Sequence, residues 1–471
     1  MRLFVILVVL LISFNAIDCY NRLSVLPIVL NQFNKFIVNK NSKALKSSST
    51  ITPPIQGKDV GINSPFNVRI DDVWYDLSKW RKSHPAGEHW IDLYKGRDAT
   101  EVMHAFHSDD ARKQFPRLSK SKESIEELNS QAAPVSQLTR NFRELRNKLE
   151  KDGWWNRDYL HEARLLSIWG TLFVTGLATA KTIPLLAIVC LALANVQSGW
   201  IGHDYAHGID KFSFTLKNFA AYASGLSPTW WSDKHNKHHA LTNEIGVDED
   251  LATEPVLYVY PPNPKKDNLF RKFQHYYFFL PLSLLFAIWR LDSATLCIKD
   301  ALTGFKRKSQ FELLGLIAHY SLMAALVPIK VFVPQVFLAG FITAVIVTVT
   351  HQSEELFEEH NPDFVDAQFK STRNAKTRTV VTDWLWGGMQ WQLEHHLFPS
   401  MPRSKYPALS KVLKEFAVKN NIEYRITDEL DILVLNWKTY QKNALAAAVD
   451  GQKHYEGKAI SWGGRGEVVP V

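Results

Sequence analysis

The sequence predicts a small soluble domain followed by an all-α membrane domain with about four transmembrane helices. Three observations predict it: a short polar and aromatic stretch from Asp71 to about Pro116, four long apolar segments further on, and histidines gathered where those segments end. At 471 residues and 46% hydrophobic content the chain is long enough for two or three domains. Cys19, Cys190 and Cys297 lie far apart with no paired or CxxC spacing, which argues against a disulfide framework or a thiolate metal site and for a reducing, cytosol-facing location. The net charge of +8 is spread between apolar stretches rather than gathered on one module. That excludes nucleic acid as the expected partner and favours a membrane with an anionic cytoplasmic leaflet.

Taken in order, the run LFVILVVLLISF (Leu3 to Phe14) is short for a span, which needs about 20 residues. Lys35, Lys40, Lys43 and Lys46 follow it, so it is expected to be an uncleaved accessory anchor or interfacial segment held on the cytosolic side. Asn41 to Lys58 reads as linker. The charged helical stretch TRNFRELRNKLEKDGWW then leads from the soluble domain toward the membrane. Leu165 to Ala180, Ile183 to Gly202, Leu313 to Ile329 and Val331 to Thr350 are the candidate spans, paired into two hairpins by the interruptions Lys181-Thr182 and Lys330. YYFFLPLSLLFAIW, from Tyr276, is shorter, carries Pro281 and is expected to lie in the interface. With that topology the soluble domain and both long loops share the cytosolic side, where FKRKSQ and FKSTRNAKTR supply the positive flanks. Residues from about Asn443 to Val471 are expected to be a disordered tail.

Each long loop carries histidines. HDYAH places His203 and His207 one helical turn apart, on one face. TWWSDKHNKHHALTN supplies His235, His238 and His239, and WQLEHHLFPSMPR supplies Gln392, His395 and His396. A lone pair would more often be solvated; three clusters delivered to one side point to metal. Imidazole alone does not choose the metal, but seven histidines, with His351 where the last span ends, exceed the needs of one tetrahedral zinc and suggest two ions. HDYAH is not the zinc-protease HExxH, because Asp204 stands in place of its glutamate. His319, inside the third span, is expected to be hydrogen-bonded between helices. Trp230, Trp231, Trp384, Trp386 and Trp391 read as interface anchors or as the wall of a tunnel.

HDYAH, HNKHH and QLEHH resemble the three histidine boxes of the membrane fatty acid desaturases. The flanks WWSDKHNKHHALTN and GGMQWQLEHHLFPSMPR, with Gln392 opening the third box, resemble the front-end subgroup over roughly Leu165 to Lys419. The resemblance implies a centre of two non-haem iron ions that activates O2 to remove hydrogens from a fatty acyl chain. Its ligands would be His203, His207, His235, His238, His239, His395 and His396, with His351 near a further ligand position in the looser match THQSEE.

The segment WYDLSKWRKSHPAGEHWIDLYKGRDATEVMHAFHSDDARKQF (Trp74 to Phe115) resembles the cytochrome b5 family, which implies a small α+β domain holding haem b between His84 and His107. Two imidazoles close both axial positions, which suits electron transfer. His89 and His104 are nearby rivals that the motif passes over. Ala86 departs from the family, where glycine usually follows the proline; a positive φ there would cost about 1 kcal/mol. Glu88, Asp92, Asp98, Glu101, Asp109 and Asp110 form either a solvated face or a docking surface for a basic NADH-cytochrome b5 reductase. No nucleotide-binding motif is evident in the chain, since GGRG near the C-terminus lacks its strand and helix.

Together these readings divide the chain into an N-terminal segment and linker (1–57), a haem domain (58–140), a desaturase-like membrane domain (141–442) and a tail (443–471). They describe a multi-pass protein of the endoplasmic reticulum membrane, with haem domain and histidine boxes facing the cytosol. Two alternatives stay open: a hydroxylase using the same centre, and an electron carrier whose iron site is inactive. Insect cytochrome b5-related proteins share this general arrangement.

Overall fold

The computed structural model describes residues 65–303 and 307–454; the apolar run Leu3–Phe14, the Asn41–Lys58 linker and the chain beyond 454 lie outside them. Among the described residues the first reversal is at Asp71-Asp72, both with positive φ (48° and 62°). That is the two-residue turn whose twist suits a hairpin, and it pairs β1 (Asn67–Ile70) antiparallel with β2 (Val73–Asp76). Val68, Ile70, Tyr75 and Leu77 pack with Ile91, Val102 and Phe115, around which α1 (Thr100–Phe106) and shorter helices close. This small α+β core does not close on itself: Ala240 and Leu241, from far along the chain, complete it.

α2 (Gln137–Lys151) is the charged stretch, and its two faces serve different partners. Ser136 caps it, accepting from the Thr139 amide. Phe142 and Leu149 enter a core with Leu397, Phe398, Leu409 and Leu413 of the second domain. Arg143 donates from Nε to Glu101 (2.8 Å) and from Nη2 to Asp98 (3.0 Å) of the first. The helix therefore holds both domains together.

All four apolar segments are helical. α3 (Tyr159–Thr179) and α4 (Pro184–Ala206) form one hairpin, followed by α5 (Lys211–Ser224) and α6 (Pro228–Ala240); α7 (Leu285–Thr303), α8 (Arg307–Leu326) and α9 (Ile329–Val349) form the second group. Only α4 and α9, with mean hydropathy 1.7 and 2.2, are long and apolar enough among the described residues to cross a membrane. The expected count of four is not reached by that measure, because α3 opens on His161, Glu162 and Arg164 and α8 on Arg307, Lys308 and Glu312. Both helices nonetheless leave large apolar side chains exposed, among them Val174, Leu314 and Ile317. On α9, Val333, Phe337 and Phe341 do the same at four-residue spacing, one bare apolar stripe. The stretch from Tyr276 breaks into short turns around Pro281 before α7; Tyr276, Phe279 and Leu280 are exposed while Leu282 and Phe286 pack inward.

The expected disordered tail needs correction over 443–454. α13 (Glu429–Leu445), the last helix among the described residues, buries Asn443 and Ala444, and the Asn443 side chain donates to Val259 O at 2.8 Å. Beyond it Val449 N donates to Pro262 O at 2.9 Å, and Gln452 is buried. Backbone bonding by a polar side chain, which composition does not register, fixes this stretch. Between α9 and α13 lie α10 (Phe364–Ser371), α11 (Gln392–Leu397) and α12 (Tyr406–Lys419).

Gly340 of α9 lets the Ser283–Phe286 turn lie against the helix, since a Cβ there would sit 2.7 Å from Ser283 O and 3.1 Å from Phe286 N. Gly340→Ala is therefore expected to destabilise the membrane domain by about 1–3 kcal/mol, the usual cost of overpacking, read as a lower melting temperature in detergent.

Candidate functional site

His84 follows the short turn Arg81–Ser83 and His107 ends α1; their ring centroids are 6.1 Å apart. Two metal–nitrogen bonds of about 2 Å and two half-ring offsets of about 1 Å would need about 6 Å. His84 donates from Nδ1 to Gly87 O (2.9 Å) and His107 from Nδ1 to Met103 O (3.1 Å), which leaves each Nε2 bare to ligate. Burial, with the neighbouring imidazole, lowers the His107 pKa to about 4 and burial lowers that of His84, so both stay neutral. These features fit a haem iron held between them. The rivals point elsewhere: His104 bonds Asp71 and Arg112, and His89 Nε2 lies 3.5 Å from Asp233 of the other domain. Ala86 is not strained. The positive φ of this turn, 114°, falls on Gly87 instead.

The three loop clusters converge. Ligand nitrogens of His203, His235, His239 and His395 all lie within 4.8 Å of one another, and so do those of His238, His351 and His396. The two groups touch where the His239 and His396 rings stack at 3.9 Å. His207 adjoins the first group, 4.1 Å from His239 between ring centroids. All eight imidazoles are buried, and the Nε2 atoms of His207, His235, His239 and His395 have no hydrogen-bond partner. A buried neutral nitrogen with a bare lone pair is costly unless a metal takes it. Histidine-only donor sets fit iron, zinc or copper, and two adjacent groups fit two ions. Gln392, 3.1 Å from His351 Nε2, stands beside the second group. His319 lies apart, against the Gly225 turn.

Local sequence explains the convergence. Ser227 caps α6 and Pro228 occupies its first turn, so His235 and His238/His239 fall on the inward side at three- and four-residue spacing. The Gly387-Gly388 pair takes φ of 57° and 105°, and a Cβ on Gly387 would strike the Trp200 ring at 2.1 Å. Only glycine lets the chain pass there and start α11 with its Gln392, His395 and His396. Asp204 has its own task, pairing with Arg403 Nε at 2.7 Å and so tying the first box to the loop after the third.

Sequence reasoning missed the groups that aim the rings. The Nδ1 atoms bond Asn236 (His207, 2.6 Å), Asp248 (His238, 2.8 Å), Ser371 O (His351, 3.0 Å), Tyr406 (His395, 3.0 Å) and Gln368 (His396, 2.8 Å). Only the acidic run GVDED, which holds Asp248, was conspicuous enough to have been suspected. Burial holds the pKa of His207, His235, His239, His395 and His396 far below the ordinary value. His238 differs: burial pulls it down, but Asp248 and Asp250 outweigh that and raise it.

A cavity of 340 Å³ ends on these rings. His203, His235, His238, His351 and Gln392 form its polar end, and Leu257, Leu282, Leu285, Ile288, Trp289 and Val347 line its apolar part. Trp231 is both cavity wall and partner of His235, their rings stacked at 4.9 Å. Trp230, by contrast, is buried against Trp289 and is no interface anchor.

The profile of the family described as Fatty acid desaturase matches residues 180–428, and that of the Cytochrome b5-like Heme/Steroid binding domain matches 63–143. The chain is 30% identical to the Delta(6)-fatty-acid desaturase fat-3 of Caenorhabditis elegans over 79% of its own length and 95% of that protein. It is 32% identical to the Delta(8)-fatty-acid desaturase of Euglena gracilis over 76% of its length and 90% of that protein. Fatty acid desaturase 3 of Homo sapiens is 28% identical over 76% of this chain and 85% of its own.

Asp248→Asn removes the carboxylate behind His238 and is expected to weaken metal binding by about 10–100-fold, the usual effect of losing such a partner; competition with a chelator measures it. Metal- and haem-free protein should also be acid-labile. With His107 at about 4 in the fold and about 6.5 unfolded, the unfolded chain binds the proton first. Stability should therefore fall as pH drops from about 6.5 toward about 4, which denaturant midpoints across that range would show.

Proposed function

From the premise that this chain belongs to the fatty acid desaturase family, with a cytochrome b5-like domain ahead of its desaturase domain, we propose that it inserts a double bond into a fatty acyl chain at the histidine centre. Electrons reach that centre through the haem domain. The observation that carries this reading is the apolar cavity that ends on the rings: it would lay unactivated methylenes beside metal-ligating nitrogens and away from water. Bound iron would supply O2 activation and hydrogen abstraction there, and haem b one-electron transfer. His203, His207, His235, His238, His239, His351, His395 and His396 are the proposed iron ligands, and His84 and His107 the haem ligands.

The chain's own residues do the remaining work. The Nδ1 bonds fix ring orientation, Gln392 sits by the second group at the cavity end, and Trp231 and Trp289 wall the chain's position. The protein is a membrane protein. We propose that α3 and α8 span together with α4 and α9, because Val174 on α3 and Leu314 and Ile317 on α8 are exposed apolar side chains, as Val333, Phe337 and Phe341 are on α9. The haem domain and boxes then face the cytosol of the endoplasmic reticulum, where an NADH-cytochrome b5 reductase can reach the haem. Of the acidic residues, Arg143 engages Asp98 and Glu101 and Arg81 engages Glu88 and Asp92; Asp109 and Asp110 pair with Arg112 and Lys113 yet stay exposed, and they are the charge we assign to the reductase.

Expression in cells lacking desaturases tests the reading. A new unsaturated acyl species, absent with the His238→Ala, His239→Ala variant, is the expected outcome. A hydroxylated product would favour the hydroxylase alternative; haem without iron, and no lipid change over a broad panel of fed substrates, would leave only electron transfer.

A further inference from the structure

The two centres are joined by one aromatic side chain. Phe106 precedes the haem-ligating His107 at the end of α1, and its ring stacks on His207 with centroids 5.4 Å apart and planes inclined by 30°. His207 in turn lies 4.1 Å from His239 and 4.6 Å from His235, so it belongs to the edge of the first histidine group. A continuous route thus runs from His107 through one peptide link to Phe106, across one van der Waals gap to His207, and into the cluster.

The docking that sets this gap is built from several independent contacts. Arg143 pairs with Asp98 and Glu101 on the haem domain, and α2, which carries it, is packed into the desaturase core. Tyr94 Oη donates to Ala240 O at 3.2 Å, and Ala240 and Leu241 fill the haem-domain core just beyond His239. His89 meets Asp233, one turn before Lys237 on α6. Phe106, half-buried, therefore lies in a clamped interface.

We infer that Phe106 is the electronic bridge between the haem and the iron centre, a positioning residue through which electrons pass from His107 to His207. The inference rests on the desaturase reading of both sites. Each passage oxidises ferrous haem to ferric and reduces one ferric ion of the centre to ferrous. Two passages per double bond supply two electrons, the two hydrogens removed from the acyl chain supply two electrons and two protons, and two further protons from solvent complete the reduction of O2 to two waters. Coupling falls steeply with the width of a gap and is better through a π-system than across space. Phe106→Leu keeps the apolar packing while removing the ring, and Phe106→Tyr keeps the ring.

The test uses full-length protein loaded with haem and iron. An electron is injected photochemically into the haem without O2, and the lifetime of the ferrous haem band is followed. The parent and Phe106→Tyr should show the same short lifetime, and Phe106→Leu one longer by an order of magnitude or more. The haem spectrum, haem midpoint potential, iron content and melting temperature should be unchanged in both variants. A Leu variant as fast as the parent overturns the inference, as does a Tyr variant as slow as Leu, or a slow Leu variant with altered haem spectrum or iron content. No decay in the parent at all would instead overturn the electron-supply reading beneath it.

Discussion

Eight imidazoles buried together is the constraint around which the rest of the structure is arranged. Protonated, they would repel one another in a low-dielectric interior; neutral and unaimed, they would leave bare polar atoms there. The fold meets both demands with one device, an acceptor behind five of the rings. Asn236, Asp248, Ser371 O, Tyr406 and Gln368 each take an Nδ1–H, which fixes the tautomer and turns Nε2 toward the cluster. These acceptors come from both long loops and from α10 and α12, so the site holds only when those segments are all in place.

That requirement explains features of the frame that have no chemistry of their own. Asp204 and Arg403 tie the end of α4 to the loop after the third box, and Gly387 lets the backbone cross the face of Trp200. Asn243 donates to both His351 O and Glu355 O, each at 3.0 Å, binding the loop after α6 to the end of α9. Such bonds join elements more than a hundred residues apart, and they place the second histidine group relative to the first.

Much of this was legible in the sequence, and the illegible part has a common cause. Clusters spaced by one helical turn, such as His203/His207 and His235/His238/His239, declare themselves because helical periodicity puts them on one face. His84 and His107 were legible only through their motif; spacing could not separate them from His89 and His104, whose partners are Asp233 and Asp71. The positions of Tyr406, Gln368 and Asn236 were not legible, since a single hydrogen bond across a fold leaves no periodic trace. The packed stretch after Asn443 and the placement of strain on Gly87 rather than Ala86 belong to the same class. Span counting is limited differently: hydropathy averages over a whole helix, while α3 and α8 concentrate their charges at one end and their apolar exposure along the rest.

The fusion of two redox domains has a physical consequence beyond proximity. A tethered but freely tumbling haem domain would raise the local donor concentration to roughly the millimolar range, and each electron would still wait for a productive encounter. Here the acidic pair Asp98 and Glu101, with Arg143, and the core shared with Ala240 and Leu241 hold the donor in one orientation. Holding it removes the encounter step, but the same contacts cover part of the surface a reductase could use. In a domain of under a hundred residues, Phe106 meets His207 of the histidine cluster, while the side chains of Asp109 and Asp110, at the start of the next helix, are exposed. On the proposed reading, residues 106 to 110 hold, within five consecutive positions, the contact to the iron centre, a haem ligand and the acidic side chains offered to the reductase.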